Sequence, residues 1–173
     1  MKALFEMFAR YNAWANTRLY EAAAKLPDTD YRANRGAFFK SIHGTLNHLL
    51  VGDLIWMHRF TGAGQAPNRL DTILHEHFPA LRAARRSEDE RILQYIVALR
   101  ESDLSSRIRF RTVVNPQTIE QDLAPALAHF FNHQTHHRGQ AHGLLTAITG
   151  DAPSFDLVVF QREVGIGNTK IVT

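Results

Sequence analysis

Apolar residues recur at spacings of three and four along four segments of the chain, over about 4–26, 37–60, 74–99 and 118–149. This spacing places apolar side chains on one face of a helix, so the sequence predicts four amphipathic helices. Pro27 ends the first helix, and the Gly- and Pro-rich stretch GAGQAP ends the second.

The boundaries of the last two helices rest on local signals. Pro79 and a capping-box match at 87–90 leave open whether the third helix is continuous or broken. Thr118 and Gln121 form a second capping-box match, so the fourth helix is expected to start there. Gly150 is expected to end it.

Between positions 107 and 114, apolar residues such as Ile108 and Phe110 alternate with arginines. A period of two is typical of a strand with one wet face, so a short edge strand is predicted. Arginines on such an edge commonly prevent aggregation, and less often they contact an anionic ligand.

Together these patterns predict an all-α fold, a four-helix bundle with a long connection and a short strand segment before the last helix. The length of 173 residues, with 45% hydrophobic and 21% charged residues, fits one globular domain over 1–173. The apolar patch at 155–160 is expected to dock on the bundle, and the tail over about 165–173 is expected to fray.

The charge pattern gives no indication of a nucleic-acid partner, since the formal net charge is only +3. The densest basic run is interleaved with acidic residues, which is typical of a solvated helix face; it contains Arg82, Arg85, Arg86 and Arg91. The first helix lacks the unbroken apolar core of a signal peptide or a membrane span. A cytoplasmic protein without membrane contact is therefore expected.

Helical phase distinguishes the histidines of the last helix. At about 100° per residue, its apolar residues define a stripe with His137 in the middle and His133 at one margin. His129 and His136 fall on the flank or the solvent side. Imidazoles at i and i+4 project side by side, so His133 and His137 can converge on one divalent metal ion.

Two interpretations of this pair stay open on spacing alone. The two residues could be core histidines bonded to polar neighbours, or they could be metal ligands. Gln134 stands where a metalloprotease of the H-E-x-x-H type needs a glutamate, which argues against peptide hydrolysis. The chain has no cysteine, so disulfides, cysteine-ligated zinc and a cysteine nucleophile are excluded, and thiol chemistry would need an external thiol.

Three stretches of the sequence resemble the DinB family. They are Tyr11-Asn12-Ala13-Trp14-Ala15-Asn16 in the first helix, His48-Leu49-Leu50 with Asp53 and Trp56 in the second, and His133 through Gln140 in the last. The pattern H-x-x-x-H-R-G-Q is the most specific of them. The resemblance implies a four-helix bundle, commonly paired as a homodimer, that holds a nickel or zinc ion on three histidines, His48, His133 and His137.

The third ligand, His48, rests on the resemblance. Helical phase places it at one margin of the second helix's apolar stripe and places His43 at the other. Thr45 and Gly52 flank His48 on the same face and are expected to leave room for an ion and its water.

Three protein ligands leave a coordination position open for an exogenous ligand. The leading hypothesis is a metal-dependent enzyme, a thiol transferase or hydrolase, that acts on a small-molecule substrate. The ion would activate water or an external thiol for attack on a small electrophile, and the resemblance implies a thiol such as bacillithiol, mycothiol or glutathione. The alternatives are a non-catalytic stress-response protein with a structural ion and a plain helical bundle without metal.

No catalytic residue is predicted beyond the ligands. Tyr11 and Trp14 could line a substrate pocket, but aromatic residues on an amphipathic helix are more commonly core. Gln140 and Asn16 could contact the metal ligands or a substrate, although polar residues beside a cleft are more commonly solvated.

Overall fold

The computed structural model of the chain describes residues 1–168 and is mostly helical. Its α-helices are α1 (Lys2–Ala23), α2 (Asp28–Arg32), α3 (Ile42–Thr61), α4 (Phe78–Ala98), α5 (Leu123–Thr149) and α6 (Leu157–Glu163). Two short 3-10 helices cover Glu101–Ser105 and Ile166–Asn168, and two strands cover β1 (Arg107–Arg111) and β2 (Thr118–Asp122). Within the described residues, no helix is long and apolar enough to cross a membrane.

The helix α3 begins five residues later than the apolar pattern predicted. Gly36 and Lys40 both have positive φ, 76° and 68°, so the chain turns before the helix instead of entering it at Ala37. Ser41 then caps the helix, because its hydroxyl oxygen accepts a hydrogen bond from the Gly44 N–H at 3.1 Å. The predicted end was correct to within one residue, since Gly62 closes the helix in the left-handed conformation.

The predicted start of the last helix at Thr118 was wrong. Residues Thr118–Asp122 form β2, which pairs antiparallel with β1 so that Arg107 lies opposite Asp122. A hairpin partner satisfies the backbone groups that a capping box would otherwise serve, and the capping-box spacing does not distinguish the two cases. Helix α5 starts only at Leu123, and it ends at Gly150 as expected.

The helix α4 is continuous over 21 residues. Pro79 lies in its first turn, where a missing N–H costs no hydrogen bond. The capping-box match at 87–90 therefore lies inside the helix and does not mark a new start.

The four long helices pack around a common interior, with α1 against α4 and α5, and α3 against α4 and α5. One apolar cluster includes Phe5, Ile92 and Phe130, and a second includes Leu19 and Leu145. On each long helix, buried polar residues stand between the members of the two clusters. We call this set the polar layer; it contains Asn12, Asn16, Asp53, Arg85, Asp89, Gln134 and Arg138.

The expectation that the basic run of α4 is a solvated face was wrong for its central residues. Arg85 and Asp89 are only 2% and 7% exposed, and Glu88 is 6% exposed. Arg85 forms ion pairs with Asp53 and Asp89, and Glu88 pairs with Arg91. Charge alternation along a helix shows where charges stand, but it does not show whether a neighbouring helix supplies a partner for them.

The C-terminal segment docks on the helices, as the apolar patch at 155–160 predicted. Tyr11 donates a hydrogen bond from its hydroxyl to the Phe155 carbonyl at 2.6 Å, and the Phe160 side chain is buried against the Tyr11 ring. Of the tail expected to fray, residues 165–168 form a turn and a short 3-10 helix, and 169–173 lie outside the described residues.

Candidate metal centre

Helices α3 and α5 bring three histidines to one point. His48 comes from α3, and His133 and His137 come from α5, with one ring nitrogen of each within 4.8 Å of the other two. The ring centroids of His48 and His137 are 4.3 Å apart, and those of His133 and His137 are 4.4 Å apart. We call these three residues the imidazole cluster, and they are the same three that the family resemblance implied.

Hydrogen bonds fix how two of these rings present their nitrogens. The Nδ1 of His48 lies 2.8 Å from the Leu70 carbonyl oxygen, and the Nδ1 of His137 lies 2.7 Å from the Gln140 Oε1. Both partners are acceptors, so each Nδ1 carries the proton. In the neutral ring, each Nε2 then has only a lone pair to offer.

These two lone pairs point at each other across a short gap. The Nε2 of His48 and the Nε2 of His137 are 3.1 Å apart. Neither nitrogen can donate to the other, so the contact is repulsive unless a proton or a cation lies between them. Two nitrogens that each bind one ion at about 2.0–2.1 Å are themselves about 3 to 3.5 Å apart, so the observed separation fits a shared metal ion.

Protonation does not resolve this contact at neutral pH. Burial lowers the pKa of His48 to about 4, and burial with help from the neighbouring imidazoles lowers the pKa of His133 to about 3. Burial also lowers the pKa of His137. All three rings are therefore neutral near pH 7, which is the state in which imidazole binds a metal.

Gly52 is the residue that lets His133 reach the cluster. A Cβ atom at position 52 would lie 2.7 Å from the Cε1 of His133, which is closer than nonbonded atoms approach. Gly52 was expected to leave room for an ion and water beside His48, but the His133 ring occupies that room. The hydroxyl of Thr45 instead donates to the Ser41 carbonyl at the start of α3.

The two sides of the cluster differ in access. Phe39 covers one side by stacking on His48, with ring centroids 3.7 Å apart and an interplanar angle of 15°. On another side a cavity of about 260 Å³ reaches His133, and its lining includes Gly52, Trp56 and Arg59. An exogenous ligand therefore has space next to the His133 ring.

The other candidate histidines lie outside the cluster, as helical phase predicted for two of them. His129 is exposed and packs 5.0 Å from the Trp56 ring, and His136 is exposed on α5. His43 is buried, with its Nδ1 3.2 Å from the Tyr31 hydroxyl. It is a core histidine at the opposite margin of α3.

Of the two polar residues near the family motifs, only Gln140 touches the cluster. Its amide bridges His137 and His136, because Oε1 accepts from the His137 Nδ1 and Nε2 lies 3.1 Å from the His136 Nε2. Asn16 belongs to the polar layer, where its amide donates to Asp89 at 2.9 Å. The aromatic residues Tyr11 and Trp14 hold the C-terminal segment, since Trp14 donates to Glu163.

The polar layer is the part of the interior that sequence reasoning missed. Arg85 binds Asp53 through one guanidinium nitrogen and lies 3.0 Å from Asp89 through another. The Gln134 amide also donates to Asp53, and Arg138 donates to Gln134 and Asn12. Burial works to lower the pKa of Arg85, but the two aspartates raise it above its usual value, so this guanidinium stays charged.

Comparison with known proteins identifies the family of the chain. The model of the DinB family matches residues 1–164 of the chain. The protein is also similar to Protein DinB of Bacillus subtilis (strain 168), with 27% identity over 145 residues that cover 78% of this chain and 80% of that protein. The chain belongs to the DinB family.

Proposed function

We propose that the chain binds one divalent metal ion through His48, His133 and His137 and uses it in an enzymatic reaction. The observation that carries this proposal is the 3.1 Å contact between the Nε2 atoms of His48 and His137, both of which present lone pairs. Imidazole ligands suit zinc or nickel, and we propose one of these two as the ion.

A divalent ion held by three imidazoles would supply Lewis-acid activation and would lower the pKa of a bound thiol or water. The chain's own groups would set up this chemistry. Leu70 and Gln140 hold two of the rings in the required tautomer, Phe39 excludes water from one face, and the cavity beside His133 admits the exogenous ligand.

The nucleophile would be external, because the chain has no cysteine. We propose that a low-molecular-weight thiol, such as bacillithiol, mycothiol or glutathione, or water attacks a small electrophile. In the thiol reaction, a bond would form between sulfur and the electrophilic carbon, and the bond from that carbon to its leaving group would break. The leaving group would depart with the electron pair of the broken bond, and the thiol proton would pass to solvent or to the leaving group. The motif resemblance to the DinB family supports the thiol.

A structural ion in a non-catalytic stress-response protein is the second candidate. It is favoured by the origin of the ligands, since His48 lies on α3 and the other two lie on α5, so an ion would tie these helices together. A structural ion contributes its binding free energy to folding. The open cavity at His133 favours the catalytic role, because structural sites are closed by protein ligands.

The bundle architecture, the oligomeric state, the location and the partner of the chain are further parts of this proposal. The four long helices would form a four-helix bundle in a single domain, paired as a homodimer in the cytoplasm. The partner would be a small-molecule substrate and not nucleic acid, since two of the four arginines in the basic run of α4, Arg85 and Arg91, are paired with carboxylates of the same chain.

Turnover assays with and without chelator test the catalytic role. Protein reconstituted with zinc or nickel is expected to conjugate thiols from a panel to activated electrophiles, and chelation should abolish this activity with only a modest loss of thermal stability. Absence of metal-dependent turnover across the panel, together with a large stability loss on chelation, would favour the structural ion.

A further inference from the structure

A second cavity adjoins the one that reaches the imidazole cluster. It has a volume of about 620 Å³ and lies between the end of α3 and the β-hairpin. Ile55, Arg59, Thr112 and Val113 line both cavities. The two cavities therefore lie side by side along α3, one reaching His133 and the other reaching the hairpin.

This path has a one-sided charge. Arg59, Arg109 and Arg111 line the outer cavity, and among the described residues no aspartate or glutamate lines either cavity. Arg109 lies 3.8 Å from Glu120. In the part of the chain covering 1–168, Arg59 and Arg111 have no carboxylate within ion-pair distance. We call the two neighbouring cavities together with these three arginines the arginine cleft.

Arg59 is held in place before any ligand arrives. Its guanidinium carbon lies 4.5 Å from the Trp56 ring centre and 4.4 Å from the Phe110 ring centre, and one nitrogen donates to the Arg111 carbonyl at 3.3 Å. The side chain is half-buried, and burial lowers its pKa with no carboxylate to offset the effect. A half-buried cation without a counter-charge is costly unless a ligand supplies one.

Protection of the strand edge does not explain this arrangement. Exposed arginines on β1 would serve that purpose, and Arg107 at the other end of the strand is exposed as well. Arg59 is on α3, not on the strand, and it lines both the outer cavity and the cavity that reaches His133.

We infer that the arginine cleft binds the anionic group, a carboxylate or a phosphate, of a small thiol whose sulfur reaches the imidazole cluster. The substrate class is then an anionic thiol, and neutral or cationic thiols of the same length are poorer ligands. This inference rests on the proposed function, because it names the binding site for the anionic end of the thiol whose sulfur the metal centre would activate. Bidentate binding of carboxylate or phosphate is the geometry that guanidinium groups favour.

A matched pair of thiols tests the inference. Mercaptohexanoate and mercaptohexanol have the same chain length and differ in the negative charge at the far end. Cobalt-substituted protein reports thiolate binding through its charge-transfer absorption. We expect mercaptohexanoate to bind about tenfold more tightly than mercaptohexanol, as for a charge-assisted contact.

Substitutions then assign the selectivity to residues. R111Q should reduce the preference about two- to fivefold because Arg111 is exposed, and R59Q should remove most of it, whereas R59K should retain part. R107Q removes the same charge from the same strand face outside the cleft and should change nothing. Competition by inorganic phosphate and by acetate distinguishes a phosphate subsite from a carboxylate subsite.

Two outcomes overturn the inference while leaving the proposed function intact. One is a normal thiolate band with equal affinity for both thiols, and the other is an equal loss of preference in R107Q and R111Q. If neither thiol gives a band, the thiol reaction of the proposed function fails, and binding to the cleft is then measured separately in metal-free protein. The chain has two tryptophans, and the substitution W14F leaves Trp56 as the single one. In this background, mercaptohexanoate should perturb the Trp56 fluorescence when Arg59 is present and should not perturb it in R59Q. Unchanged fluorescence in both proteins would refute the cleft.

Discussion

The interior contains two polar regions, and they differ in how their groups are satisfied. In the polar layer, the carboxylates of Asp53 and Asp89 lie against the guanidinium of Arg85. In the imidazole cluster, the Nε2 lone pairs of His48 and His137 face each other at 3.1 Å. The layer also contains Arg138, so its two carboxylates are matched by two guanidiniums, whereas among the described residues the cluster has no positive partner between these nitrogens.

This difference indicates which region is structural and which binds a ligand. A buried polar group that has its partner within the protein needs nothing from outside. A buried group whose lone pairs converge on one point needs a cation there. Both regions draw residues from α3 and α5, and the layer also draws residues from α1 and α4. The comparison predicts that damage to the layer changes stability, and damage to the cluster changes metal binding.

The largest effect is expected from breaking the layer. R85A would leave Asp53 and Asp89 buried without their cation, which costs about 3–5 kcal/mol in the free energy of unfolding. Urea denaturation measures this, and R86A, an exposed neighbour on α4, is the control and should shift stability by less than about 0.5 kcal/mol. Equal stability of the two variants would show that the layer is not a structural element.

The next effect concerns the space for His133. G52A places a Cβ 2.7 Å from the His133 Cε1, so the ring must move or the helices must separate. Overpacking of this kind costs about 1–3 kcal/mol, and metal affinity should fall as well. G143A, which adds a Cβ in open space on α5, should instead stabilise by up to about 1 kcal/mol. Unchanged zinc affinity in G52A would mean that His133 is not a ligand.

The third-largest effect is expected from removing the hydrogen-bond acceptor of the His137 ring. Q140A removes the acceptor that keeps the His137 Nδ1 protonated. Loss of such a partner commonly reduces metal affinity about 10- to 100-fold. Competition with a chromogenic chelator measures the affinity, and H136A, which removes only the outer neighbour of Gln140, should retain most of it. Equal affinities in Q140A and the parent would contradict this role.

The smallest effect is a pH dependence of the metal-free protein. The folded pKa of His48 is about 4 and the ordinary value is 6.5, so the unfolded chain takes up this proton first as the pH falls. Stability from this residue is complete above pH 6.5 and decreases toward pH 4. We expect a loss of about 1–3 kcal/mol that is absent in H48A.

The stability of the parent protein must be compared with that of H48A at each pH, because other groups titrate as well. Burial raises the pKa of Asp53 to about 7, and Arg85 opposes the rise. This carboxyl contributes a change of the opposite sign, which is common to both proteins and cancels in the difference. Parallel stability curves for the parent and H48A would show that His48 is not a buried neutral imidazole.

The sequence predicted those features that depend on local patterns. The four long helical segments, the end of α5 at Gly150 and the docking of the C-terminal segment follow from apolar spacing and from glycine. Helical phase alone also placed His137 in the middle of the apolar stripe of the last helix and His133 at its margin. His48 needed the resemblance, because it lies at the margin of its helix's apolar stripe and its inward position depends on the packing of α3 against α5.

The sequence could not predict features that depend on contacts between distant segments. The β2 strand needs β1 as its partner, and the burial of Arg85 needs an aspartate from another helix. The acceptor for the His48 ring is a backbone carbonyl of Leu70, in the connection after α3. A backbone carbonyl is present at every position, so no side-chain pattern marks this one.

Metal analysis of protein purified without nickel resin tests the shared cation most directly. The parent protein, loaded with zinc and desalted, is expected to retain about one ion per chain, whereas H48A, H133A and H137A should each retain little. H129A and H136A, which lie on α5 outside the cluster, should match the parent. A parent protein without stoichiometric metal, or an H48A variant that binds as much as the parent, would contradict the account.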